Sequence, residues 1–60
     1  MSLVEVLAER RMSKLQLALK AGIAPNDLYL AINGKKPFYP GWKKRISEFL
    51  EMDEGELFGE

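Results

Sequence analysis

Cysteine and histidine are both missing from the 60 residues of this chain. Without cysteine there is no disulfide staple, and nothing marks an oxidising or a reducing compartment. Without histidine, a zinc site would need four carboxylate ligands, and histidine general-base chemistry is excluded. Long apolar runs are missing as well. The longest stretch free of charge, Leu28 to Gly34, falls far short of the roughly 18 residues that span a membrane. The first residues lack the basic start and apolar run of a secretory signal. From these absences we expect a cytoplasmic protein with no metal, no cofactor and no membrane partner.

Acidic residues are scarce over most of the sequence. Residues 1–45 hold all nine Lys and Arg against Glu5, Glu9 and Asp27, a balance of +6, while residues 46–60 carry six acids and no base. The net charge of zero therefore conceals a segregation that an average surface does not show. A basic working surface with an acidic back accounts for it, and so does a solubilising acidic tail.

What is present is ordinary globular material, 47% hydrophobic and 30% charged, outside the disordered range. Sixty residues make one domain, which buries only about 60% of the surface its unfolded chain exposes. Ser2 with Glu5, Ser13 with Gln16 and Asp53 with Glu56 have the spacing of capping boxes, predicting helices that start near residues 3, 14 and 54. Pro25 suits a first helical position behind the weak cap Ala24, and Gly34 closes that helix. Residues 35–42, KKPFYPGW, read as a loop. Trp42, Ile46, Phe49 and Leu50 then recur at helical spacing and predict a helix over 42–51. No strand pattern or repeat appears, so the expected fold is all-α, with five short helices. The expected core is Leu3, Val6, Met12, Leu17, Ala18, Ile23, Leu28, Ile32, Ile46, Phe49, Leu50 and Leu57, with Val4, Leu7, Leu15 and Leu19 as surplus apolar residues.

Within ALKAGIAPNDLYLAING, residues 18–34, the requirements of two crossing helices are met. Ala18 is small at the crossing, Gly22 permits a sharp turn, and Ile23 plugs the corner. RMSKLQLALKAGIAPNDLYLAINGKK together with GWKKRISEFLEMDEGELF resembles the Cro and lambda-repressor-like helix-turn-helix domains over nearly the whole chain. It departs from their pattern at Ala24, where Ser or Thr usually stands, and at Lys14, where Gln usually stands.

The resemblance implies a five-helix domain with its helix-turn-helix over about 14–33, a recognition helix at about 25–33 and acidic C-terminal helices within about 42–58. It implies a phage, prophage or bacterial regulator that lays the recognition helix in the major groove of double-stranded DNA. Helical spacing then puts Asn26, Tyr29, Leu30 and Asn33 on the outer side, with Asp27 beside them, as base-reading candidates. Asn26 suits an adenine edge, Asp27 a cytosine amino group and Leu30 a thymine methyl. The competing structural account gives Asn26 and Asp27 a part in starting the helix, and Asn33 a part in ending it. Phosphate-binding candidates are Lys14, Lys35, Lys36, Tyr39, Lys43 and Lys44.

The family usually binds a pseudo-palindromic operator as a homodimer, for which Met52, Leu57 and Phe58 are the candidate surface. No small-molecule ligand is expected. Leu15 and Leu19 support an alternative, a protein-interaction module of antitoxin or anti-repressor kind on the same scaffold. An enzyme is not expected, because carboxylates, lysines and two tyrosines are the only acid–base groups and the domain is too small for a deep pocket.

Overall fold

Two serines start the first two helices. In the computed structural model, which describes residues 2–59, α1 (Leu3–Glu9) begins behind Ser2 and α2 (Lys14–Ala21) behind Ser13. The Ser13 hydroxyl accepts the Gln16 N–H at 3.0 Å, and Gln16 Oε1 accepts the Ser13 N–H at 2.9 Å, a complete capping box. Ser2 accepts the Glu5 N–H at 3.3 Å, but its partner carboxylate returns to the hydroxyl and not to the backbone. Asp53 precedes α5 (Glu54–Phe58) without a side-chain cap bond, so the box expected there is not formed.

Between these lie α3 (Pro25–Ile32) and α4 (Pro40–Leu50). Each opens on a proline, whose missing N–H has no helical partner at that position anyway. Pro40 therefore sets the start of α4 two residues ahead of Trp42. The described residues contain five helices and no strand. Among them no helix is long and apolar enough to cross a membrane.

Four helices stop in the same way. Arg11, Gly22, Gly34 and Glu51 take left-handed backbone conformations after α1, α2, α3 and α4, with φ of 53°, 68°, 79° and 57°. In each case the next N–H reaches back five residues: Met12 to Leu7, Ile23 to Ala18, Lys35 to Leu30 and Met52 to Ser47, over 2.8–3.1 Å. This satisfies carbonyls that a helix end leaves orphaned. Two of the four turns use glycine, which adopts the conformation freely, whereas Arg11 and Glu51 hold it against the clash of Cβ with the carbonyl. The Arg10 guanidinium links the two strained turns by donating to the Leu50 carbonyl at 2.8 Å.

The core draws on every helix. Leu17, Leu28, Ile46, Leu50 and Val6 are the largest fully enclosed side chains, joined by Leu3, Leu7, Ala18, Ala21, Ile23 and Leu57. Leu7, expected as surplus, is buried because it lies four residues after Leu3 and one after Val6, on the same inward stripe of α1. Phe49, expected in the core, is 38% exposed. Ile46 and Leu50, one turn apart, take the inward face of α4, and Phe49 is rotated about 100° from Leu50. Met12, Ile32, Phe38 and Trp42 pack against the cluster from its rim. Val4, Leu15 and Leu19 remain exposed.

Candidate nucleic-acid interface

The turn between α2 and α3 is built as two crossing helices require. Ala18 is fully buried at the crossing, Gly22 turns the chain, and Ile23 is buried at the corner. Arg45 on α4 holds this turn from outside, its Nη1 donating to the Gly22 carbonyl at 3.4 Å and its Nε to the Gly41 carbonyl at 3.3 Å. A β-carbon at Gly22 would stand 3.3 Å from Nη1. The glycine thus serves both the turn and the arginine that clamps it. The contact with Gly22 spans 23 residues of sequence and leaves no local signal there.

Burial of Leu28 and Ala31 fixes the rotation of α3. Asn26 and Asn33 consequently stand exposed, Tyr29 presents its ring to solvent, and Leu30 is half-buried. Asn33 is the C-cap residue of α3, and Gly34 behind it takes the left-handed conformation at which the helix stops. Ala24 supplies no side-chain bond to the first turn of α3. The N–H groups of that turn are left without a side-chain cap.

Asp27 and Lys36 form an ion pair, Lys36 Nζ donating to Asp27 Oδ1 at 2.8 Å. The loop after α3 therefore folds back along the helix and brings its second lysine to the first turn. The hydrogen bond that Lys36 donates to Asp27, and then the negative charge of Asp27, hold the Lys36 ammonium above its ordinary pKa near 10.5. The stabilisation belongs to the charged lysine. It is complete below the ordinary lysine pKa and is lost as pH rises through the raised value.

The remaining cations divide into two kinds. Lys14 at the start of α2, Lys35 after α3 and Lys44 in the second turn of α4 extend from exposed positions. Lys43 instead lies over the Phe58 ring, 5.7 Å from its centroid. Phe58 also packs on Phe38 at 4.9 Å, so α5 supports the lysine-bearing loop from below. Tyr39 packs edge-on against Trp42 at 4.6 Å and keeps nearly half of its surface exposed.

The C-terminal dimer candidates fare differently. Leu57 is 2% exposed and belongs to the core, so it offers no surface to a second copy. Met52 and Phe58 are partly buried against that core.

Comparison of the chain with family models, with curated proteins and with solved structures finds no match. The functional reading therefore rests on the geometry of these residues.

Proposed function

We propose that the chain is a sequence-specific DNA-binding regulator of the Cro and lambda-repressor kind, with α3 as its reading helix in the major groove. The observation that carries this reading is the outer face of α3. It presents Asn26, Tyr29 and Asn33 to solvent, and exposed lysines stand at the start of the helix before it and directly after it. Amides on that face suit bidentate contact with base edges, and lysines supply phosphate contacts that set register and affinity. The Asp27–Lys36 pair masks an anion that would otherwise repel phosphate, while occupying one cation. In this reading the protein acts in the cytoplasm and its control is by occupancy of an operator.

Binding to long mixed-sequence DNA, titrated from low to physiological salt, tests the proposal. Affinity is expected to fall steeply with salt, and the Lys14→Ala, Lys35→Ala, Lys44→Ala triple variant is expected to lower the log–log slope by about three, one for each lost phosphate contact. No binding at low salt would overturn the reading.

A second reading is favoured by the exposed Leu15, Leu19 and Phe49, which suit an interaction module. An apolar interface barely responds to salt, so the same titration against a candidate partner separates the two.

A further inference from the structure

An apolar cleft of about 290 Å³ opens where the turn after α1, the outer side of α2 and the last turn of α4 meet. Met12, Leu19 and Phe49 supply its apolar lining, and its charged residues, Arg10, Arg11 and Lys20, are all cations. Leu19, 67% exposed, is the most open large apolar side chain among the described residues, and Leu15 continues its stripe one turn earlier on α2. The apolar surface is therefore longer than the cleft. A small molecule seated between Leu19 and Phe49 would leave Leu15 in water.

Two of the rim cations are uncommitted. Among the described residues Arg11 and Lys20 form no ion pair, whereas Arg10 already donates to the Leu50 carbonyl. Arg11 keeps a side chain at φ 53°, a turn conformation that glycine supplies at Gly22 and Gly34. The strain is held where it puts a guanidinium on the rim. Across α4 the sign reverses, since Glu48, Glu51, Asp53 and Glu56 line the neighbouring cleft. An acidic occupant is thus attracted along the α1 and α2 sides of Phe49 and repelled from its other flank. What fills a cleft must also be convex. A bilayer surface is flat and would leave the cleft void, whereas an amphipathic helix projects apolar side chains at every third or fourth residue, the spacing of Leu15 and Leu19 themselves.

We propose that this groove binds an amphipathic helix of another protein, apolar along one stripe and acidic beside it. One apolar side chain of that helix enters the cleft between Leu19 and Phe49, the next covers Leu15, and its carboxylates meet Arg11 and Lys20. The inference deepens the interaction reading of Leu15, Leu19 and Phe49 and rests on it. No residue lining the cleft is among the proposed DNA contacts, so it stands apart from DNA reading by α3.

The probe is a synthetic peptide of about fifteen residues, long enough to hold a helix, with leucines at helical spacing flanked by glutamates. Its twin carries lysine in place of each glutamate. Fluorescence anisotropy at low salt gives the affinity for the full chain, and amide chemical shifts of the isotope-labelled chain locate the contact. The acidic peptide is expected to bind with a Kd of about 100 µM or tighter, and the twin at least about tenfold more weakly. Shifts are expected at Leu15, Leu19, Lys20 and Phe49. Leu19→Ala is expected to weaken binding about tenfold, as loss of an anchor does. Arg11→Gly is expected to weaken it about threefold while relieving the strained turn, so that this loss is not a failure to fold. A twin that binds as well as the acidic peptide would overturn the acidic partner and leave the apolar interaction reading standing. No binding of the acidic peptide up to about 1 mM would overturn the proposal. So would shifts centred on α3 and the lysine-bearing loop, where the peptide would only be following charge. Phosphatidylglycerol vesicles that shift the cleft residues when the peptide does not would overturn it as well, making the patch a membrane surface.

Discussion

Arg11 and Glu51 hold left-handed conformations that a side chain opposes, at about 1–2 kcal/mol per residue. Neither side chain is enclosed, so glycine can replace either without opening a cavity. Arg11→Gly is expected to stabilise the fold by about 0.5–1 kcal/mol once the added freedom of the unfolded glycine is deducted, read from the midpoint of urea unfolding. Asp27 allows a second prediction at the same scale. Asp27→Asn removes the carboxylate that holds the Lys36 proton, so the titration midpoint of Lys36 followed by NMR should fall. If α3 lies on DNA, the same substitution releases a cation and should steepen the salt dependence of binding by about one unit. A Lys36 midpoint unmoved by the substitution would show that the pair does not persist in solution.

The elements show which signals in the sequence were readable. Serine caps and a helix-opening proline act within four residues, so the starts of α1, α2 and α3 were legible, and the glycines after α2 and α3 marked their ends; α5 begins at its expected place although Asp53 makes no cap bond, and Pro40 reads as part of the loop. The ends at Arg11 and Glu51 were hidden, because the backbone there takes a conformation that the side chain does not advertise. Phe49 misled for a related reason. Its spacing from Ile46 and Leu50 fits a helical stripe, and which edge of that stripe is covered depends on how α2 and α5 pack on α4. The base-facing candidates on α3 were legible once Leu28 was assigned to the core. The Asp27–Lys36 pair and the Arg45 clamp were not, since both depend on how the loop and α4 return.

Two substitutions in α3 test the separation of scaffold from surface. Ala24→Ser would supply the side-chain cap that α3 lacks and is expected to add about 0.5–2 kcal/mol of stability, measured by thermal or urea unfolding. Leu28→Ala removes a fully buried side chain and is expected to cost about 2–5 kcal/mol. A domain of this size has about 3–9 kcal/mol in all, so circular dichroism should show a largely unfolded chain at moderate temperature.

For the molecule as a whole, the helices are short and joined by tight connections, and α2 packs on both α3 and α4. Assembly of such local contacts is fast, and temperature-jump relaxation is expected to be single-exponential within microseconds to milliseconds. The charge segregation visible in the sequence becomes, in the fold, a lysine-bearing loop resting on an aromatic residue of the acidic helix. Lys43 of α4 lies over the same Phe58 ring.

That resting place bears on how the protein is made. Phe58 supports the loop through Phe38, and Leu57 closes a core to which Leu3 also belongs. α1 packs against α5, so a helix early in the described residues has its neighbour far along the chain. A nascent chain that has reached only residue 50 carries all of α3 and every lysine, yet lacks the Phe58 ring under the loop and the Leu57 contact with the core. Synthesis therefore delivers the parts proposed to contact DNA before Leu57 and Phe58, which close the core and support the loop.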